Sequence, residues 1–117
     1  MAISAKRVSE RLAGTEELAL LDVREQGVHY RGHPFYASSA PLSRLEIVIA
    51  DLVPRRSAPI VVFDGGEGLA QQSAQRLAAF GYTNVDVLDG GTAAWKAAGG
   101  ELFGGINVPS KAFGEFV

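Results

Sequence analysis

Residues 61–70 constrain the fold of this chain more than any other part of its sequence. An apolar run ends on a carboxylate, Asp64, and a glycine-rich turn then leads into a helical pattern that starts near Ala70. A strand, a tight loop and a helix start, in that order, bring the N–H groups of the loop and of the first helical turn towards one point. An α/β protein places a reactive group at such a point, so residue 64 decides which chemistry the loop can support.

Helical patterns and short apolar runs alternate along the rest of the chain. Apolar residues at helical spacing predict helices over residues 5–12, 68–80 and 93–98. Ser4 and Thr92 are the predicted N-caps of the first and last of these helices. Short apolar runs predict strands over residues 18–23, 60–63 and 85–88, with a shorter one near Ala37. Residues 45–52 fit a helix, although their β-branched side chains also fit a strand. The alternation predicts an α/β domain with a mainly parallel sheet.

Composition excludes several classes of function. The 117 residues suffice for one domain, and a net charge of −2 does not favour binding to nucleic acid or to an anionic membrane. No apolar run approaches the ~18 residues of a transmembrane helix, and the first residues lack the apolar stretch of a signal peptide. A cytoplasmic location is therefore expected. The chain has no cysteine, which excludes disulfides, a thiolate metal site and thiol catalysis.

Residues of the loop and its surroundings also allow other chemistry. Asp64 could cap the turn and helix that follow, or it could be an aspartyl nucleophile of the haloacid dehalogenase type. Those phosphatases have a second aspartate two places on, where this chain has Gly66. His29 and His33 have a metal-ligand spacing only within a helix, which Pro34 disfavours. We expect no metal and no cofactor.

Several motifs occur in a shared order along the chain. They are Leu-Asp-Val-Arg-Glu at 21–25, Gly32-His33 with Ala37, the loop 64–70, Gly81-Tyr82, Gly90-Gly91 and Trp95. Their order and spacing resemble those of the rhodanese domain family over residues 3–103. In that family the active loop reads Cys-x-x-Gly-x-Arg-Ser and is followed by a helix ending in Gly-Tyr, a strand, and a Gly-Gly…Trp segment.

The resemblance implies a fold and a protein context. The fold is a three-layer α/β/α arrangement around a mainly parallel five-stranded sheet, formed by a rhodanese-like domain over residues 1–103. The tail, residues 104–117, resembles the connector of multi-domain thiosulfate sulfurtransferases and is expected to be a linker toward a following domain. The implied partners are other rhodanese domains of the same polypeptide.

The departures from the family pattern lie in the loop that would carry the chemistry. The loop, a candidate anion cradle, comprises Asp64, Gly65, Gly66, Glu67, Gly68, Leu69 and Ala70. Asp64 takes the place of the cysteine, Glu67 that of the glycine, and Leu69 that of the arginine. Ala70 takes the place of the serine. The resemblance therefore implies a domain without sulfurtransferase activity and with no catalytic residue of its own. A stand-alone module that binds an anion or a protein and a hydrolase using Asp64 are the alternatives.

Two hypotheses concern the surroundings of the loop. Asp64 could act as a built-in anion held by the N–H groups of the loop, whereas the added charge of Glu67 would work against this. Asp22 and Arg24 could form a structural ion pair, or Arg24 could face the mouth of the loop and meet a small anion. By resemblance, His33 belongs to a segment that packs against the first strand of the family motif.

Overall fold

The computed structural model describes residues 2–14, 17–25 and 37–99. The described residues form five strands: β1 (Ala2–Ile3), β2 (Ala19–Asp22), β3 (Ala37–Ser39), β4 (Ile60–Phe63) and β5 (Val85–Leu88). They also form four α-helices: α1 (Ala5–Ala13), α2 (Leu45–Leu52), α3 (Leu69–Ala79) and α4 (Gly91–Ala97). A 3₁₀ turn at Leu42–Arg44 leads into α2.

The five strands form one sheet in the order β1-β5-β4-β2-β3, and every neighbouring pair is parallel. The predicted parallel sheet is therefore confirmed. β4 lies at its centre, and all four of its residues are buried. A strand buried on both faces explains why the sequence of β4 is continuously apolar and does not alternate.

Helices cover both faces of the sheet, which confirms the three-layer arrangement. Alternate residues of β4 point to opposite faces: Ile60 and Val62 belong to the core beneath α2 and α3, and Val61 and Phe63 to the core beneath α1 and α4. Trp95 of α4 fills the second core and is 8% exposed. The two cores fix the position of β4, and with it the start of the loop.

The helices agree with the sequence patterns at most positions. Ser4 caps α1 as predicted, because its Oγ accepts the N–H of Arg7 at 3.1 Å. Residues 45–52 are helical rather than extended, with Leu45 and Ile49 buried one turn apart. The prediction of Thr92 as an N-cap is wrong. The N-cap of α4 is Gly90, two residues earlier, where a φ of +80° turns the chain into the helix.

Tyr82 joins three parts of the fold. Its hydroxyl donates to the carbonyl oxygen of Val53 at the end of α2, and its side chain is 3% exposed. The guanidinium of Arg56 lies over the ring at 4.8 Å and also donates to the carbonyl of Phe80 at 2.9 Å. Through these contacts, Tyr82 and Arg56 link the ends of α2 and α3 to the connection that precedes β4.

None of the helices formed by residues 2–14, 17–25 and 37–99 has the length and the apolar character of a membrane span. The cytoplasmic location stays a prediction. The domain boundary at residue 103 and the tail 104–117 lie outside the described residues, and so does the histidine pair at 29 and 33.

Candidate functional site

Asp64 directly follows β4 at the carboxyl edge of the sheet. Open parallel sheets bind ligands at this edge, outside the carboxyl ends of their strands. Residues 65–68 then bend the chain into α3, which begins at Leu69. The strand, loop and helix order of the sequence therefore places Asp64 where the loop and the first turn of α3 converge.

Both oxygens of the Asp64 carboxylate accept hydrogen bonds from the backbone. Oδ1 accepts the N–H of Gly66 at 2.8 Å, and Oδ2 accepts the N–H of Ala70 at 2.9 Å. Gly68 occupies the N-cap position of α3 and has no side chain to offer, so Asp64 satisfies an N–H of the first turn from outside the helix. The capping interpretation and the built-in anion interpretation describe the same two hydrogen bonds.

Glu67 is the second carboxylate of the loop, and it bonds to the loop as well. Its Oε1 accepts the N–H of Gly65 at 2.5 Å. Glu67 is exposed, whereas Asp64 is only 7% exposed. The two carboxylates therefore accept three N–H groups of the loop between them. Glu67 adds negative charge near Asp64, but it also bonds to the backbone of the same loop.

The start of α4 forms the opposite wall of the site. The N–H of Thr92 donates to the carbonyl oxygen of Asp64 at 3.0 Å. Gly91 lies so close that a Cβ there would stand 2.4 Å from the same oxygen. The pair Gly90-Gly91 was part of the sequence resemblance, but only the structure shows that it contacts Asp64.

A cleft of about 390 Å³ opens between the two walls. Its lining residues are Ala2, Asp64, Gly66, Gly68, Ala70, Gln71, Val87, Leu88, Asp89, Gly90 and Gly91. Among the described residues, this lining contains two carboxylates, Asp64 and Asp89, and neither lysine nor arginine. The described part of the cleft therefore offers no side-chain cation of the kind that a site for a small oxyanion would favour.

Leu69 and Ala70 occupy the positions that are arginine and serine in the family motif. Leu69 is half-buried and packs against the core beneath α2 and α3. Ala70 is 2% exposed, and its N–H is engaged by Asp64. Neither residue presents a charged or hydroxyl group to the cleft.

Asp22 and Arg24 form the predicted ion pair at the end of β2. The guanidinium donates to Oδ1 at 2.8 Å and to Oδ2 at 2.7 Å, and the N–H of Arg24 also donates to Oδ1 at 3.0 Å. Both side chains are buried, and Arg24 lies 5.8 Å from the ring centre of Phe63. Because Asp22 pairs in register with Phe63, the ion pair stands beside the last residue before the loop.

Within the part of the chain that the structure describes, no group of histidine, cysteine, aspartate or glutamate could hold a metal ion. His33, the remaining supporting residue of the sequence prediction, lies outside the described residues.

Comparisons with known proteins agree on one family. The sequence profile of the rhodanese-like domain matches residues 4–98. The crystal structure of thiosulfate sulfurtransferase from Pseudomonas aeruginosa is similar to 97% of this chain, with 52% identity and a TM-score of 0.88. The match covers 22% of that protein, so this chain spans about a fifth of its length. A comparison with curated protein sequences finds no match.

Two further structures are similar. The Alr3790 protein from Anabaena sp. shares 32% identity with a TM-score of 0.81, and the match covers 89% of this chain and 93% of that one. A rhodanese with anions from E. coli shares 25% identity with a TM-score of 0.57, and the match covers 62% of this chain and 89% of that one. The motif order, the parallel three-layer fold and these likenesses agree, and the chain belongs to the rhodanese-like domain family.

Proposed function

We propose that this chain is a catalytically inactive rhodanese-like domain with a structural or regulatory role in a larger protein of the thiosulfate sulfurtransferase type. The observation that carries the proposal is the side chain at the start of the loop. Asp64 stands where the family has its cysteine, and both of its carboxylate oxygens are engaged by backbone N–H groups.

The chemistry of sulfur transfer explains why this side chain matters. A thiolate attacks the sulfane sulfur of the donor and then holds that sulfur as a persulfide, which an acceptor attacks in turn. A carboxylate forms no comparable persulfide, and the chain contains no cysteine elsewhere that could replace it. Leu69 also removes the cation that the family motif would offer to an anionic donor.

The proposed partners are other rhodanese domains of the same polypeptide. Support comes from the similar Pseudomonas aeruginosa protein, of which this chain matches only 22% at 52% identity. A domain without a nucleophile can still contribute packing surface or control access to a neighbouring domain that has one.

The alternatives receive less support from the geometry. A nucleophilic aspartate needs an oxygen that can reach a substrate, whereas both oxygens of Asp64 are bonded to the backbone and the residue is 7% exposed. A site for a small anion needs unengaged donors, whereas the N–H groups of Gly65, Gly66 and Ala70 all donate to carboxylates of the loop.

A thiosulfate:cyanide assay on this chain tests the proposal. We expect no thiocyanate above the rate without protein, for the unaltered chain and for the matched control Asp89→Asn on the opposite wall. Thiocyanate formation that rises in proportion to the concentration of the unaltered chain, and that is lost in Asp64→Asn, would overturn the proposal.

A further inference from the structure

The missing cysteine alone explains the absence of sulfur transfer, without any role for Glu67. The side chain of Glu67 nevertheless bonds to the backbone of the loop. Its Oε1 accepts the N–H of Gly65, and a Cβ placed on Gly65 would stand 3.1 Å from Oε1 and 3.4 Å from Oε2. The carboxylate therefore lies directly against the backbone of Gly65.

The backbone conformation of Gly66 makes this contact possible. Its φ of +104° lies in a region that side-chain-bearing residues rarely adopt. The resulting bend turns the chain back, so the side chain of Glu67 reaches the residue two positions before it. In the family motif a glycine stands at this position, and a glycine has no side chain to make this contact.

The two carboxylates of the loop accept three of its N–H groups. Asp64 takes the N–H groups of Gly66 and Ala70, and Glu67 takes that of Gly65. A small oxyanion that binds these three N–H groups would have to displace at least one carboxylate while approaching both negative charges. Like charges at such short range disfavour the approach.

From this geometry we infer that Glu67 is a latch, which together with Asp64 keeps small oxyanions from the N–H groups of Gly65, Gly66 and Ala70. The inference rests on the proposed function, since it concerns a loop that carries no sulfur. The exposed Glu67 accepts the N–H of Gly65, and the buried Asp64 accepts the N–H groups of Gly66 and Ala70. Replacing Asp64 alone therefore leaves the N–H of Gly65 bonded to Glu67.

Amide hydrogen exchange measures the latch directly. In Glu67→Ala the Gly65 amide loses its acceptor, and we expect its exchange to become at least about tenfold faster. Glu67→Gln keeps an oxygen acceptor and retains most of the protection. The exchange of the Gly66 and Ala70 amides, which donate to Asp64, stays within about twofold in both variants. Equal exchange of the Gly65 amide in the unaltered chain and in Glu67→Ala would overturn the latch.

A titration with thiosulfate at constant ionic strength, followed through the amide chemical shifts, tests the closure. We expect no saturable shift of the Gly65 and Gly66 amides in the unaltered chain or in Glu10→Ala, which removes an exposed carboxylate from α1. Asp64→Asn/Glu67→Ala is expected to show a saturable shift at both amides, and a thermal melt confirms that it is folded. Asn keeps an oxygen acceptor and adds a donor, so this variant retains part of the cap.

The outcomes separate this inference from the proposed function. A saturable shift in the unaltered chain without thiocyanate formation overturns the latch alone. A folded double variant that shows no shift also overturns the latch. Thiocyanate formation by the unaltered chain overturns the proposed function.

Discussion

Gly91 lies against Asp64 across the candidate site, and a Cβ at position 91 would stand 2.4 Å from the Asp64 carbonyl oxygen. The N–H of the next residue, Thr92, donates to that same oxygen at 3.0 Å. The first turn of α4 thus fixes the backbone of the residue that starts the loop. This contact explains why the second residue of the Gly-Gly segment is a glycine in this chain. Only a residue without a side chain can lie this close to the Asp64 carbonyl oxygen.

Gly91→Ala is therefore expected to destabilise the domain. The substitution adds a methyl group in contact with backbone and forces alanine to adopt a φ of +61°. Together these effects are expected to lower the free energy of unfolding by about 3 kcal/mol. Gly99→Ala is the matched control, because Gly99 has a φ of +91° but nothing within 4 Å of its Cβ position. Urea denaturation giving equal losses for both variants would contradict the contact.

Asp64→Ala tests the cap that Asp64 provides to α3. The substitution leaves the N–H groups of Gly66 and Ala70 without acceptors, and we expect it to lower the free energy of unfolding by about 2 kcal/mol. Asp64→Asn keeps one oxygen acceptor and is expected to lose about half as much. Asp51→Ala, at an exposed position of α2, is the control and is expected to change the value by less than ~0.5 kcal/mol. No difference between Asp64→Ala and the control in urea denaturation would rule out the cap.

The burial of the Asp22–Arg24 ion pair predicts a large effect from breaking it. Asp22→Asn removes the negative charge that faces the buried guanidinium of Arg24 at 2.7 Å, and the expected loss in the free energy of unfolding is about 3 kcal/mol. The exposed pair of Arg76 and Glu46, 3.7 Å apart, is the comparison, and Glu46→Gln is expected to cost less than ~1 kcal/mol. Similar losses in the free energy of unfolding for the two variants would show that the buried ion pair stabilises the fold no more than the exposed one.

Much of the fold could be predicted because local patterns agree with the final packing. The apolar run of β4 and the helix after it are visible in the sequence, since β4 is buried on both faces and α3 buries one stripe. β1 is not visible in this way, because its two residues are ordered by pairing with Val87 and Leu88 far along the chain. The sequence did not decide between helix and strand for residues 45–52, because β-branched residues occur in both. In the structure they form a helix, which buries Leu45 and Ile49 on one face.

The site could be predicted only in part. The position of Asp64 follows from the order of strand, loop and helix, but its bond to the N–H of Ala70 joins residues six positions apart. The role of Glu67 could not be predicted from its charge, because it depends on the bend at Gly66. The contact with Gly91 depends on where α4 docks, which no local pattern encodes.

Restoring a cysteine is expected to be insufficient for sulfur transfer. In Asp64→Cys, Glu67 still places a carboxylate in the loop and Leu69 still offers no cation to an anionic donor. We expect this variant to form no thiocyanate above background. Asp64→Cys/Glu67→Gly/Leu69→Arg/Ala70→Ser, which completes the family motif, is expected to form it measurably. Full activity of Asp64→Cys alone would show that the other three positions do not matter.

The most direct measurement is whether the chain can hold a sulfane sulfur at all. The unaltered chain is incubated with thiosulfate labelled at its sulfane sulfur, freed from small molecules, and examined by radioactivity and intact mass. We expect no retained label and no added mass, because a carboxylate stands where the persulfide would form. Label retained at one sulfur atom per chain, stable to gel filtration and released by cyanide, would contradict the proposed inactivity.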